Sequence, residues 1–312
     1  MRLIKPSFEI WDQQGGLEGI YKQIERAGRV CYKSEDKITE TSAKEFVERM
    51  IKSGHGAMLE HGTVYLKAKT TIYGGMGSET IECPLYKYSE NPYSVVEKDN
   101  ECFPDYLYVT TNFRVLVEND WLEDLKYVCK PTEYHAKRIT VKFICDRGVS
   151  HEFVRHRVFS FAQESTRYCN YSKDKFQGVT YIQPPWLDGD ISNEDGSKFN
   201  DVYTDIYLHT LTTAENAYLD LLKQWDNKVP DKRFKSGYKN NPWTPQQARA
   251  VLPNSLKTEL VMTGFVRDWE NFFKLRDAGS AHPQARELAH PLHMEFLRRN
   301  YLVDLYDEAN PD

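Results

Sequence analysis

The sequence predicts an α+β protein in which helices pack on a small mixed or antiparallel sheet. Segments whose apolar residues recur at helical spacing cover more of the chain than strand patterns do. Strand patterns are fewer and shorter, and the clearest alternation covers residues 139–145. The chain has no internal repeat and no low-complexity tract, and we expect a single domain over residues 1–312.

The N-terminal part of the chain is predicted to form two helices and a strand. The first predicted helix covers residues 16–30. Ser42 and Glu45 have the spacing of a capping box for a second helix, and Gly54 is placed to end that helix. Residues 63–67 (TVYLK) alternate like a strand.

The secondary structure of the middle of the chain is the hardest to predict. Residues 68–138 contain a glycine-rich G-G-x-G segment, which we interpret as a plain turn because it lacks the spacing of a phosphate-binding loop. Ser150 is a candidate N-cap for a short helix after the strand 139–145. A further strand is predicted at residues 179–182.

The C-terminal half is predicted to be mainly helical. Residues 187–200 are polar and read as a surface loop, and a basic loop runs from 228 to 245. Two more helices are expected near residues 245–276 and 283–300. Between the loops lies a long helix at 201–225, whose expected inward-facing residues are Val202, Ile206, Leu211, Tyr218, Leu222 and Trp225.

The composition is ordinary for a globular protein, with 40% hydrophobic and 28% charged residues. The net charge of −5 provides no positive field for nucleic acid, so any anionic ligand must be held by a local group of Arg or Lys. The six cysteines form no C-x-x-C pair, which is typical of reduced thiols. Without a signal-peptide pattern or a membrane-length apolar run, we expect a cytoplasmic protein with no nucleic-acid or membrane partner.

Residues 152–168 (EFVRHRVFSFAQESTRY) carry the densest candidate site. Three guanidiniums, of Arg155, Arg157 and Arg167, lie within thirteen residues, and such a group favours a bound anion. Arginine binds phosphate bidentately, and neighbouring hydroxyls complete such a pocket. An exposed basic turn is the alternative, but interleaved apolar residues favour a pocket wall.

This segment resembles the signature of the flavin-dependent thymidylate synthases, in which R-H-R is followed by seven residues and a serine. Here the motif is Arg155-His156-Arg157 with Ser165, and the family's S-x-R-Y tail is found at 165–168. Further segments are similar to family segments: residues 27–32 (AGRVCY), 53–65 (SGHGAMLEHGTVY), 248–253 (ARAVLP) and 263–276 (TGFVRDWENFFKLR). The resemblance implies this family's fold, with insertions at about 68–138 and 187–245.

The resemblance also implies reductive methylation of dUMP to dTMP, with FAD as cofactor, NADPH as reductant and 5,10-methylenetetrahydrofolate as carbon donor. It implies a homotetramer with shared active sites, no metal, and Arg276 as the catalytic residue that stabilises charge on the pyrimidine. The implied dUMP-binding residues are Glu152, Arg155, Gln163, Glu164, Ser165, Thr166, Arg167, Arg249 and Arg276. The implied FAD-binding residues are His61, Thr63, Arg155, His156, Arg157, Val158, Gln163, Arg267 and Asn271.

Two positions depart from the family pattern. The glutamine common three residues before R-H-R is Glu152 here. The flavin-side histidine that often follows the activating arginine falls on Ser280 in a gapless match, with His282 two residues further. Cys169 lies close to the signature, and we interpret it as a buried structural thiol.

Three other functions remain open. A nucleic-acid-binding module would use R-H-R together with Phe159 and Phe161. A zinc enzyme would use His282, His290 and His293, although no H-E-x-x-H is present. A degenerate relative would bind flavin without making dTMP.

Overall fold

The structure is a computed structural model that describes residues 1–72, 81–99, 106–187, 202–223 and 241–302. The glycine-rich turn, Trp225 and most of the predicted loops 187–200 and 228–245 lie outside the described residues. The strands are β1 (Arg2–Ile4), β2 (Ser7–Trp11), β3 (Thr63–Lys69), β4 (Thr71–Ile72), β5 (Ile81–Glu82), β6 (Val95–Lys98), β7 (Tyr106–Asn112), β8 (Arg138–Asp146), β9 (Ser160–Gln163), β10 (Thr180–Ile182) and β11 (Lys257–Phe265). The α-helices are α1 (Gly16–Tyr32), α2 (Ser42–Lys52), α3 (Gly56–Leu59), α4 (Phe113–Glu118), α5 (Arg147–Phe153), α6 (Val202–Leu222), α7 (Pro245–Ala248), α8 (Val266–Arg276) and α9 (Pro283–Arg298).

A four-stranded antiparallel sheet in the order β2-β8-β11-β9 forms the centre of the molecule. β8 and β11 pair over nine residues, from Asp146 opposite Lys257 to Arg138 opposite Phe265. The prediction of a helix near 245–276 is therefore wrong over β11. The physical reason is that residues 258–264 are all buried, so β11 lacks the alternation of a half-exposed strand.

The main hydrophobic core lies between this sheet and the helices α5, α8 and α9. Large aromatic side chains fill it, and the rings of Phe143, Phe153 and Phe272 pack at 4.9 to 6.2 Å between centroids, with Phe153 edge-on to the other two. The other face of the sheet contacts α1 through small residues such as Ala27 and Ala162. The sheet is thus covered on both sides, and the expected α+β class is confirmed.

A second hydrophobic core contains residues of the predicted insertion 68–138. The antiparallel sheet β3-β7-β6 packs with α1, α2 and α4 around Leu66, Leu85 and Val109. β3 begins two residues after His61, and β8 begins at Arg138, the last residue of the insertion. The insertion therefore connects β3 to β8.

Two predicted helix caps are wrong. Ser42 lies inside α2, where its hydroxyl donates to Glu25 Oε2 at 2.8 Å and makes no capping box with Glu45. Asp146 caps α5, because its Oδ1 accepts from the Val149 backbone N at 2.8 Å. Ser150 lies within α5 and donates to a backbone carbonyl.

The long helix α6 is confirmed, but its buried stripe differs from the prediction. Leu211 and Tyr218 are buried as expected, whereas Val202 and Ile206 are exposed. The buried stripe also uses Thr204 and Glu215, which share the helix face of Leu211. No helix in the described part of the chain is long and apolar enough to cross a membrane.

Candidate functional site

A cavity of about 540 Å³ opens beside the first residue of β8 and the last residue of β11. One wall is the segment after R-H-R, and the opposite wall comes from α4 and the segment before β6. Its lining residues include Glu60, Pro92, Tyr93, Asn112, Arg114, Glu118, Arg138, Arg157, Val158, Phe159, Ser160, Phe265, Arg267 and Asp268. The cavity thus combines several guanidiniums with apolar and aromatic walls.

Arg138 is the half-buried cation of this cavity. Its Nη1 donates to the Glu60 backbone O at 3.2 Å and to Thr63 Oγ1 at 3.3 Å, and its Nη2 donates to Ser160 Oγ at 3.4 Å. All three acceptors are neutral, and the bonds are long. Burial lowers the pKa of Arg138 to about 10, so the side chain is still charged at neutral pH.

The other arginines of the cavity differ in their pairing. Arg114 is neutralised, because it binds Glu60 Oε1 at 2.6 Å and Glu118 Oε1 at 2.7 Å. Arg157 and Arg267 are exposed, and no described carboxylate lies within 4 Å of either of them. Both belong to the expected FAD-binding set, as does Val158, whose side chain is exposed at the cavity.

His61 and Thr63 connect to the cavity through Arg138. His61 is buried, and its Nδ1 lies 2.8 Å from Thr263 Oγ1 on β11. Burial and then the charge of Arg138 lower the pKa of His61 to about 3, so its ring is neutral. Neither His61 nor Thr63 lines the cavity, but Thr63 accepts directly from Arg138.

A second group joins three predicted site residues at the end of α8. Arg276 donates from Nη1 to Glu152 Oε2 at 2.7 Å, from Nη2 to the Glu152 backbone O at 2.9 Å and from Nε to His156 Nε2 at 3.0 Å. Burial and then the charge of Arg276 lower the pKa of His156 to about 4, so the ring is neutral and can accept this bond. Glu152, which stands where the family commonly has glutamine, is therefore the ion-pair partner of Arg276.

A third group surrounds the end of the signature. Thr166 Oγ1 accepts from Arg249 Nη1 at 3.0 Å, and Ser165 Oγ accepts from the Arg167 backbone N at 3.3 Å. The guanidiniums of Arg155, Arg167 and Arg249 are exposed. These three side chains face outwards from one chain, and Asn271 is also exposed.

Gln163 and Glu164 are held inside the fold. Gln163 Nε2 donates to Ser150 Oγ at 2.9 Å, which ties it to α5. Glu164 is buried and binds Lys257 Nζ at 2.8 Å, and it also accepts from the Tyr171 hydroxyl at 3.0 Å. Both side chains thus have partners that fix their positions.

The lysine cluster around Glu259 was not predicted from the sequence. Glu259 is buried on β11, and burial alone would raise its pKa, but three ammonium groups more than offset this and hold its pKa well below the usual range. The three lysines of this cluster are Lys33, Lys142 and Lys257. No sequence signal could have found it, because the lysines are contributed by three separate elements.

The structure also places the cysteine near the signature and the histidines considered for a zinc site. Cys169 is buried, and burial raises the pKa of its thiol to about 12. His290 and His293 both contact the Asp277 carboxylate at 2.9 Å. Within the described ranges, no group of three or more His, Cys, Asp or Glu side chains is arranged to hold a metal ion.

The family model described as thymidylate synthase complementing protein matches residues 131–299. The match includes the R-H-R signature, Arg249 and Arg276, but not His61 or Thr63. The flavin-dependent thymidylate synthase of Corynebacterium diphtheriae is 30% identical over 143 residues, which cover 46% of this chain and 50% of that protein. The Mycobacterium avium enzyme of the same description is 31% identical over 153 residues, 49% of this chain and 53% of that protein.

The chain thus spans about half the length of the curated relatives it matches. Among solved structures, the UMP/dUMP methylase PolB from Streptomyces cacaoi with bound 5-Br dUMP has a TM-score of 0.40 and 16% identity. That alignment covers 96% of this chain and 93% of the other.

Proposed function

Because this chain belongs to the thymidylate synthase complementing protein family, we propose that it is an FAD-dependent thymidylate synthase. The proposed reaction is the reductive methylation of dUMP to dTMP for DNA precursor synthesis, with 5,10-methylenetetrahydrofolate as carbon donor and NADPH as reductant. The matched region supports the proposal, since it contains the signature and the helix that carries Arg276.

The observation that carries the proposal is the way Arg276 is held. Glu152 and His156 occupy three of its five N–H groups, and among the described residues the other two have no partner. The two remaining N–H groups, one on Nη1 and one on Nη2, can donate to the O2 of a pyrimidine and to its N3 once that nitrogen has lost its proton. Negative charge that develops there would be stabilised, which makes C5 more nucleophilic.

The residues of the cavity fit a flavin dinucleotide. Arg157 and Arg267, which have no ion pair with a described carboxylate, offer cations for phosphate oxygens, and Val158 offers an apolar contact for a ring. Bound FAD supplies the redox chemistry, and the protein positions the reactants. The proposed FAD-binding residues remain those that the family resemblance implies, including neutral His61 and Thr63 behind Arg138.

The exposed arginines support the proposed homotetramer. Arg155, Arg167 and Arg249 face outwards, yet all three are expected to bind dUMP. A site assembled from several subunits would enclose them and give their charges an anionic partner. Two variants that are inactive alone, Arg276→Ala and Arg249→Ala, should then regain part of the activity when they are mixed and refolded or co-expressed.

The direct test supplies dUMP, methylenetetrahydrofolate, NADPH and FAD and measures dTMP by chromatography. In Arg276→Ala we expect the flavin absorbance to remain while dTMP formation collapses. Arg298→Ala is the matched control, because Arg298 is an exposed arginine whose one ion-pair partner among the described residues is Glu295 on its own helix. Unchanged turnover in Arg276→Ala would remove the catalytic assignment.

Two outcomes with the unaltered protein would replace the proposal. Flavin binding without any dTMP would identify a degenerate relative. A colourless protein that binds oligonucleotides would favour the nucleic-acid-binding function instead.

A further inference from the structure

Arg138 lies where the predicted insertion 68–138 rejoins the central sheet. It is the first residue of β8 and pairs with Phe265, the last residue of β11, so its side chain is placed at the cavity by the sheet itself. The family resemblance assigns it no role. Its guanidinium nevertheless extends into the cavity between Thr63 and Ser160.

The charge of Arg138 is poorly compensated. Its three hydrogen bonds are 3.2 to 3.4 Å long and end on neutral oxygens. The neighbouring Glu60 carboxylate is held by Arg114 at 2.6 Å, and Asp268 caps α8 by accepting from the Phe265 backbone N at 3.0 Å. A half-buried cation that has no ion pair with any described carboxylate is costly, so the site is suited to an anion from outside the chain.

The residues around Arg138 indicate what kind of anion the cavity would bind. Arg157 and Arg267 line the same cavity without a described carboxylate within 4 Å, so two further cations are available. Phe159 and Phe265 provide apolar walls, and Tyr93 is 65% exposed at the lining contributed by the insertion. Cations and aromatic walls in one cavity of about 540 Å³ match an anion that carries flat rings, not a small inorganic ion.

We propose that Arg138 binds the diphosphate of an adenine dinucleotide in this cavity. The inference rests on the proposed function, because that function supplies two such ligands, FAD and NADPH. In either case the diphosphate oxygens would accept charge-assisted hydrogen bonds from a guanidinium whose present partners are neutral and distant.

Flavin-binding measurements on the full chain test the proposal. Arg138→Gln keeps a donor for Thr63 and Ser160 but removes the charge, and we expect FAD affinity, measured by flavin fluorescence, to fall about 10- to 100-fold. Riboflavin, which lacks the diphosphate, should bind both proteins equally. Arg138→Lys restores the charge and should recover most of the FAD affinity.

Arg298→Gln is the matched control. Arg298 is an exposed arginine of α9 that does not line the cavity and pairs with Glu295, so its loss should change FAD affinity by less than about twofold. Circular dichroism and thermal unfolding of each variant establish that a change in affinity is not a failure to fold.

The two ligands are distinguished on FAD-loaded protein. If Arg138→Gln weakens FAD binding but leaves the NADPH concentration for half-maximal flavin reduction unchanged, the ligand is FAD; the opposite pattern identifies NADPH. If neither changes, the inference is wrong, even when the unaltered protein makes dTMP. If Arg138→Gln weakens FAD binding in a protein that makes no dTMP, the inference stands and the proposed function fails.

Discussion

Lowering the pH should break the contact between Arg276 and His156, because His156 Nε2 accepts a hydrogen bond only while the ring is neutral. Burial and the charge of Arg276 lower the pKa of His156 from the ordinary 6.5 to about 4 in the folded protein. Below pH 6.5 the unfolded chain therefore binds more protons than the folded chain at this residue. The corresponding stability is present above the unfolded pKa and is lost as the pH falls towards the folded pKa.

The magnitude follows from the two pKa values. The full shift corresponds to about 3 kcal/mol, and about 2 kcal/mol of it should be lost when the pH is lowered from about 7.5 to about 5. Urea unfolding at both pH values, at one protein concentration and without added FAD, measures the loss for the unaltered chain and for His156→Gln. His61, whose pKa is also lowered, contributes equally to both proteins, so the difference between them isolates His156.

We expect His156→Gln to lose about 2 kcal/mol less than the unaltered chain over this range. Equal losses in the two proteins would refute the reasoning, because they would mean that His156 has similar proton affinity in the folded and unfolded states.

Three further predictions concern packing and charge. Cys169→Ser should leave dTMP formation within about twofold, since a buried thiol whose pKa is raised to about 12 is a poor nucleophile; a large loss of turnover would contradict this. Glu259→Gln should lower the free energy of unfolding by about 3 kcal/mol, because the lysine cluster would lose its central anion, and an unchanged urea midpoint would count against that reading. Gly264→Ala should cost about 1–3 kcal/mol, since a Cβ there would lie 2.6 Å from the Phe159 ring, whereas Gly279→Ala, with nothing within 4 Å, should change stability by less than about 0.5 kcal/mol; equal effects in thermal unfolding would argue against the clash.

Much of the fold could be predicted where one face of an element is apolar and the other is more polar. Residues 139–145 alternate because β8 has a polar and an apolar side, and the structure extends this strand by only one residue at each end. The helices predicted at 16–30 and 283–300 correspond to α1 and α9 within two residues. Strand β11 could not be recognised in the same way, since its neighbours bury both faces and remove the alternation.

Some features of the candidate site could also be predicted from the sequence, and others could not. The signature, the acidic net charge and the clustered guanidiniums are properties of the sequence, and they suffice to predict an anionic ligand. Which carboxylate pairs with each guanidinium cannot be predicted from the sequence. That Arg276 pairs with Glu152 rather than with the adjacent Asp277, and that Arg114 is neutralised while Arg138 is not, depends on residues far apart in the chain.

The sequence by itself determined the family resemblance, most helices and the chemical type of the ligand, because these depend on local spacing and on residue identity. Only the tertiary structure decided which cations pair with a carboxylate in the described part of the chain, which histidines are neutral and where the insertion meets the site. The physical reason is that burial and ion pairing are set by the distance between side chains in space, and the sheet pairs Arg138 with Phe265 across more than a hundred residues of chain.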